Sequence, residues 1–348
     1  MRKANILLLF IAIAVWSCVS TVISNSEAEV ALFYEPEGFP LAQYKTQNNP
    51  VTEEGFILGK KLFYDGNLSR DGTISCAECH NQNYAFTHHG HALSHGIDNQ
   101  VGIRNAPALQ NLAWQKSFLW DGGVFDLDLF PLAPIENPVE MDENLSVLIN
   151  KLKKDSKYPD LFEKAFGTSE ITTERFLKAL SQFMISLISS NSKYDLVMKN
   201  QATFNTDEKA GYLLFKEKGC ASCHTEPLFT DETYRSNGLD TTYFRTFVDY
   251  GRKRITEQNA EKFKFKVPSL RNIEYTFPYM HDGRYSTLEA VMDHYSDQMS
   301  DLPNLDPIFK KNTGKIGIQL TAVEKKQMVA FLKTLTDSDF LKNKKFAP

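Results

Sequence analysis

Cysteine is scarce in this sequence. Five occur in 348 residues, too few to staple a chain of this length as a disulfide scaffold. Long basic runs are missing, and 39 Lys and Arg against 43 Asp and Glu leave a formal charge of −4. Nucleic acid is therefore excluded as a partner, because its binding rests on clustered positive charge. No apolar run reaches the roughly twenty residues of a membrane-spanning helix, which rules out a polytopic membrane protein. Tryptophan is rare at 3, yet 25 Phe and 14 Tyr are present. That aromatic content suits packing around large flat cofactors as well as ordinary cores. The length suits two domains better than one small core.

The positive start Met1-Arg2-Lys3 and the apolar stretch Ile6 to Val15 predict an export signal over residues 1–17. Ser17 directly before Cys18 resembles a bacterial lipoprotein signal, cleaved before a lipidated cysteine, although Val15 stands where such signals usually carry Leu. A plain secretory signal cut a few residues later is the alternative. Both place the mature chain outside the cytoplasm, in the periplasm. The lipoprotein reading gives membrane contact only through an N-terminal lipid. Residues 18–50 read as a tether and N-terminal extension.

The other four cysteines form Cys76-Ala-Glu-Cys79-His80 and Cys220-Ala-Ser-Cys223-His224. Both are C-x-x-C-H, the signature of c-type haem attachment. Two thiols on one tight turn add to the two vinyl groups of one porphyrin, and the adjacent imidazole falls under the iron. Zinc would want its cysteine pairs roughly 15–20 residues apart, and a disulfide within each pair would need no histidine after it. A thioredoxin-like motif expects a βαβ setting that neither flank offers. The chain is thus predicted to carry two covalent c-type haems.

The surroundings of the two motifs rhyme. Residues 55–65 and 208–219 each carry apolar side chains at helical spacing, with a glycine near the exit of each. Thr206 is the expected N-cap of the second, before Asp207 and Glu208. Further helices are predicted over 173–189 and 322–336, with capping boxes at Thr321/Glu324 and Ser286/Glu289. No alternating strands stand out. The predicted fold is mainly α, with two tandem class I cytochrome c-like domains holding one haem each: residues 51–200 and residues 201–340.

From about residue 53 to 335 the chain resembles the bacterial dihaem cytochrome c peroxidase and MauG family. The motifs that carry the resemblance are Leu58 to Asp65, the two haem turns, Arg104-Asn105-Ala106-Pro107, Phe118 to Gly122, Pro134 to Met141, Lys266 to Asn272 and Pro278 to Gly283. The resemblance implies that the N-terminal haem, on His80, is the peroxidatic site and that Glu140 is its distal acid/base. Burial would raise that carboxyl's pKa toward neutrality. Trp120 matches the tryptophan between the haems that assists electron transfer, whereas Trp114 is read as packing. Asn105, Thr276 and Pro278 match the ligands of a calcium ion between the domains. His95, in a loop with His88, His89 and His91, matches the histidine that closes the N-terminal iron before activation. A set of solvated polar residues or an adventitious metal site is the alternative for that loop.

Two positions depart from the peroxidase pattern. Phe130 stands where many members carry glutamine, so a polar distal neighbour is missing. His224 is the proximal ligand of the second haem, and its sixth ligand falls at Tyr295, a tyrosine as in MauG rather than the peroxidases' methionine. Met292, Met280 and Met299 are the alternatives. Three functions follow from the resemblance. The leading one is reduction of hydrogen peroxide to water with electrons from a small cytochrome c or similar donor. The others are MauG-like oxidation of residues on a partner protein, and electron carriage without catalysis. A homodimer, as many relatives form, is compatible with each.

Overall fold

The computed structural model describes residues 31–88, 90–241, 247–310 and 314–348. The predicted signal, the lipidation site Cys18 and His89 lie outside the described residues. Twelve α-helices follow in chain order: α1 (Glu53–Phe63), α2 (Cys76–Cys79), α3 (Leu132–Glu136), α4 (Leu145–Lys154), α5 (Lys157–Phe166), α6 (Thr173–Ile185), α7 (Lys193–Met198), α8 (Thr206–Glu217), α9 (Lys253–Thr256), α10 (Leu288–Asp297), α11 (Ala322–Lys333) and α12 (Ser338–Lys342). The strands described are two short ones, β1 (Tyr234–Arg235) and β2 (Phe265–Lys266), paired antiparallel. The fold is mainly helical, as predicted. No helix among the described residues is long and apolar enough to cross a membrane.

The caps show why these helices start where they do. Thr321 and Glu324 form the expected capping box of α11. Two other caps sit one residue from their predicted places. Asn205, not Thr206, caps α8, with Glu208 reaching back to the Asn205 N–H. Thr287, not Ser286, caps α10 by accepting from the Ala290 N–H. In each case the polar side chain one position away is the one that accepts the first-turn N–H, a distinction that composition does not carry. Helices α6 and α11 stop at Ile185 and Lys333, short of the predicted 189 and 336.

Two apolar cores organise the described residues. One joins α1, α4, α5 and α6 around Phe63, Phe162, Phe176 and Phe183; the other joins α8, α10 and α11 around Phe215, Phe229 and Phe331. The C-terminal segment returns to the first core, where Phe340, Leu341 and Phe346 are buried.

The halves repeat each other closely. Helix α1 approaches α6 through Gly59, where an added Cβ would lie 2.0 Å from the Ala179 carbonyl oxygen. Helix α8 approaches α11 through Gly211, where it would lie 1.9 Å from that of Gln327. Ala106-Pro-Ala-Leu-Gln-Asn111 and Val267-Pro-Ser-Leu-Arg-Asn272 both end on a buried asparagine in the left-handed region, at φ 57° and 58°. Phe118 bridges Val124 as Tyr279 bridges Tyr285, and the turns between place Leu119 and Met280 at φ 70° and 76°.

Candidate functional site

Each C-x-x-C-H segment is wound into a single tight turn, and its histidine is oriented by the main chain. The Nδ1 of His80 lies 2.8 Å from the Phe86 carbonyl oxygen. That of His224 lies 3.1 Å from the carbonyl oxygens of both Phe229 and Pro268. An Nδ1–H donated to a carbonyl fixes the tautomer and leaves Nε2 with its lone pair, the arrangement an iron ligand needs. Burial pushes His80 down to about 4 and lowers His224 as well, so both rings are neutral at pH 7. Burial likewise raises the Cys76 and Cys79 thiols to about 12. The four cysteines form no disulfide.

A large, mainly apolar cavity runs between the two halves. Cys220, Cys223 and His224 lie on it, together with Met280, Met292 and Tyr295. Its apolar walls include Phe309, Ile318 and Leu332 on the C-terminal side, and Leu109, Phe118 and Phe130 on the N-terminal side. A flat apolar macrocycle held by two thioethers and one imidazole fits this lining, so the residues present suit a haem. Phe130 is stacked on Phe118 at 5.2 Å between ring centroids.

Cys76, Cys79, His80 and Glu140 do not line this cavity but cluster beside one another. The Cys79 Sγ lies 3.5 Å from the His95 carbonyl oxygen. The next residue, Gly96, packs its backbone directly on that of Glu140, and the Ile97 N–H donates to the Glu140 carbonyl at 2.8 Å. Burial raises the Glu140 carboxyl above its ordinary value, opposed by a hydrogen bond from Asn137. The rings of His88, His91 and His95 gather at centroid separations of 4.3 to 6.2 Å. Among the described residues, no group of three or more His, Cys, Asp or Glu is arranged to hold a metal ion by itself.

Trp120 lies on the cavity between the halves. Its Nε1–H donates to the Asn105 carbonyl at 2.8 Å, and its own carbonyl accepts from the Lys266 N–H. Trp114 is buried in the first core and donates to the Pro40 carbonyl, a packing role. Asn105, Thr276 and Pro278 all line the cavity, with the Asn105 Nδ2 donating to the Pro278 carbonyl at 2.9 Å. Holding a cation there requires the amide to turn and present its oxygen.

Sequence reasoning missed the ionic frame around Trp120. Asp121 is fully buried and accepts from Arg104 at 2.7 Å and from Arg254 at 2.8 and 3.0 Å. Arg104 also makes a bidentate pair with Asp249. His281, pushed down to about 4 by burial, stacks on Phe265 at 3.5 Å. Lys266 is buried against Glu232, Gln115 and the Ser117 carbonyl. Arg104, Asp121, Lys266 and His281 sit inside recognised motifs. Asp249 and Arg254 carry no local signal.

Comparison with known proteins agrees with this geometry. The profile of the family described as di-haem cytochrome c peroxidase matches residues 53–203. The methylamine utilization protein MauG of Methylorubrum extorquens is 34% identical over 93% of this chain and 91% of its own. The cytochrome c551 peroxidase of Nitrosomonas europaea is 36% identical over 85% of this chain and 83% of its own. The crystal structure of a MauG-like protein associated with microbial copper homeostasis superposes with a TM-score of 0.80 at 31% identity, covering 90% of this chain and 97% of that one.

Proposed function

The chain belongs to the di-haem cytochrome c peroxidase family, and from that premise we propose that it reduces hydrogen peroxide to water with electrons from a small periplasmic cytochrome c or similar donor. The observation that carries this reading is the paired orientation of His80 and His224, each with Nδ1 on a main-chain carbonyl and Nε2 left for iron. Residues 51–200 and 201–340 form two cytochrome c-like domains on this reading, each with one haem attached at its C-x-x-C-H turn. The haem irons supply the electron storage and the binding position for peroxide.

The chain's own residues supply the rest. Glu140 takes a proton from the near peroxide oxygen and returns it to the far one, so that the O–O bond breaks with water as the leaving group. Its raised pKa suits both halves of that task. Phe130 offers peroxide no hydrogen bond, so positioning falls to Glu140. Trp120, held at both its ring nitrogen and its carbonyl, keeps an aromatic ring between the halves for electron transfer. Asn105, Thr276 and Pro278 would hold calcium through oxygen atoms and water. His95, whose carbonyl lies by the Cys79 sulfur, would be the residue that holds the first haem's iron before activation. The export signal places the protein in the periplasm, anchored by a lipid on Cys18.

The holoprotein mass should exceed that of the chain by two porphyrins, and joint replacement of Cys220 and Cys223 by alanine should remove one of them. Prereduced enzyme should oxidise a reduced small cytochrome in proportion to added peroxide, as followed by the donor's absorbance. No peroxide-dependent oxidation with any c-type donor would end the peroxidase reading. A second reading, MauG-like oxidation of a partner protein, is favoured by Tyr295 on the cavity wall. It predicts peroxide-dependent change in a partner's mass rather than in a donor's absorbance.

A further inference from the structure

Two residues with donor atoms of opposite character line the cavity that holds Cys220, Cys223 and His224: Tyr295 with its hydroxyl and Met280 with its thioether. They meet at one group. The Asn237 side-chain nitrogen lies 3.4 Å from the Tyr295 oxygen and 3.5 Å from the Met280 sulfur. Two atoms within reach of one N–H group are close neighbours, which brings both donors to one part of the cavity wall.

The Met280 placement is built into the backbone. Met280 sits at φ 76°, a conformation unfavourable for a residue of this size that persists only where the surroundings impose it. The bridge between Tyr279 and Tyr285 imposes it here. The repeated position in the other half, Leu119, has the same backbone and also lines the cavity, yet carries no donor atom. Asn237 is held in turn. Its carbonyl lies 2.9 Å from the Nε2 of His294, whose Nδ1 lies 3.2 Å from the Tyr285 hydroxyl.

We propose that Tyr295 and Met280 exchange as the distal ligand of the C-terminal haem with its oxidation state, the Tyr295 oxygen binding the oxidised iron and the Met280 sulfur the reduced iron. A phenolate donates charge and favours the oxidised metal, whereas a thioether stabilises the reduced one. The electron comes from the same donor that serves the peroxidase, or from dithionite in the test. As one electron enters, the iron–oxygen bond of Tyr295 breaks, Tyr295 takes up one proton, and an iron–sulfur bond to Met280 forms. Oxidation reverses each change. The proposal rests on the reading that a haem is attached at Cys220 and Cys223.

The test uses the full-length holoprotein, with two haems verified by mass. Paramagnetic resonance and magnetic circular dichroism are recorded in the oxidised and dithionite-reduced states. Met280→Leu should leave the oxidised spectrum unchanged, convert the reduced C-terminal haem from six- to five-coordinate, and lower its midpoint potential. Tyr295→Phe should give the oxidised protein a thioether-to-iron charge-transfer band. Met292→Leu should change neither state. A reduced Met280→Leu spectrum identical to wild type, or loss of the reduced ligand in Met292→Leu instead, would overturn the exchange while leaving the peroxidase reading intact. A mass lacking the second porphyrin would overturn both.

Discussion

Glu140→Gln should slow peroxide cleavage by about 10²- to 10⁴-fold, the usual worth of a positioned general acid/base, while haem loading and folding stay as they are. The carboxyl is expected to act in both directions, so it must ionise within the working pH range. Burial among the chain around Gly96 and Cys79 raises its pKa above the ordinary glutamate value, and the hydrogen bond from Asn137 limits that rise. The peroxide must lose its proton to an ionised Glu140. The rate should therefore fall as the pH drops through the raised pKa, and the Gln variant should lose that acid limb. Glutamine preserves the main-chain contacts that hold the turn, the Ile97 N–H on the Glu140 carbonyl and the Glu140 N–H on the Asn137 carbonyl. A lost rate would thus report chemistry rather than a displaced loop. Stopped-flow mixing of reduced enzyme with peroxide at several pH values measures both features. A rate and pH profile matching wild type would remove Glu140 from the proton transfer.

The parts of this site that the sequence made legible are those whose chemistry is local. Two thiols and an imidazole within five residues specify one porphyrin, and helical spacing around Gly59 and Gly211 locates the helices that support each turn. Groups that meet only after folding were not legible. Arg104 joins Asp249 across 145 residues, and Arg254 joins Asp121 across 133. No periodicity relates such partners, because each residue taken alone reads as a solvated charge. The return of Phe340 and Phe346 to the first core is hidden for the same reason: an apolar segment announces that it is buried but not against what. The left-handed backbone shared by Leu119 and Met280 is invisible in composition. Neither is a residue type that favours it, and only the surrounding turn imposes it.

Replacing Arg271 by methionine should lower the unfolding free energy by about 3–5 kcal/mol, the cost of leaving one partner of a buried ion pair alone. Arg271 is fully buried, and its guanidinium makes two parallel bonds to Asp195, at 2.8 and 2.9 Å. A third goes from Nε to the Pro227 carbonyl, and the plane lies over the Phe39 ring at 4.7 Å. One side chain thereby ties α7, the segment after the second haem turn and the N-terminal extension to the Val267–Asn272 stretch. Burial by itself would raise the Asp195 pKa, but the Arg271 and Ser192 bonds outweigh it and hold the carboxyl below its usual range. The pair's contribution is therefore complete above the unfolded aspartate value, about 3.9. It is lost as the pH falls through the lower folded value. Asp195→Asn with Arg271→Met should cost less than the two single changes added together, because neither partner is then left charged and alone. Pro268, three residues before Arg271, accepts from His224 Nδ1, so loosening the clamp should also broaden the resonance signal of the second iron. Denaturant unfolding of the holoprotein, with its spectrum recorded in parallel, reads both effects. Additive losses with an unchanged iron signal would show that the clamp neither couples its two charges nor positions His224.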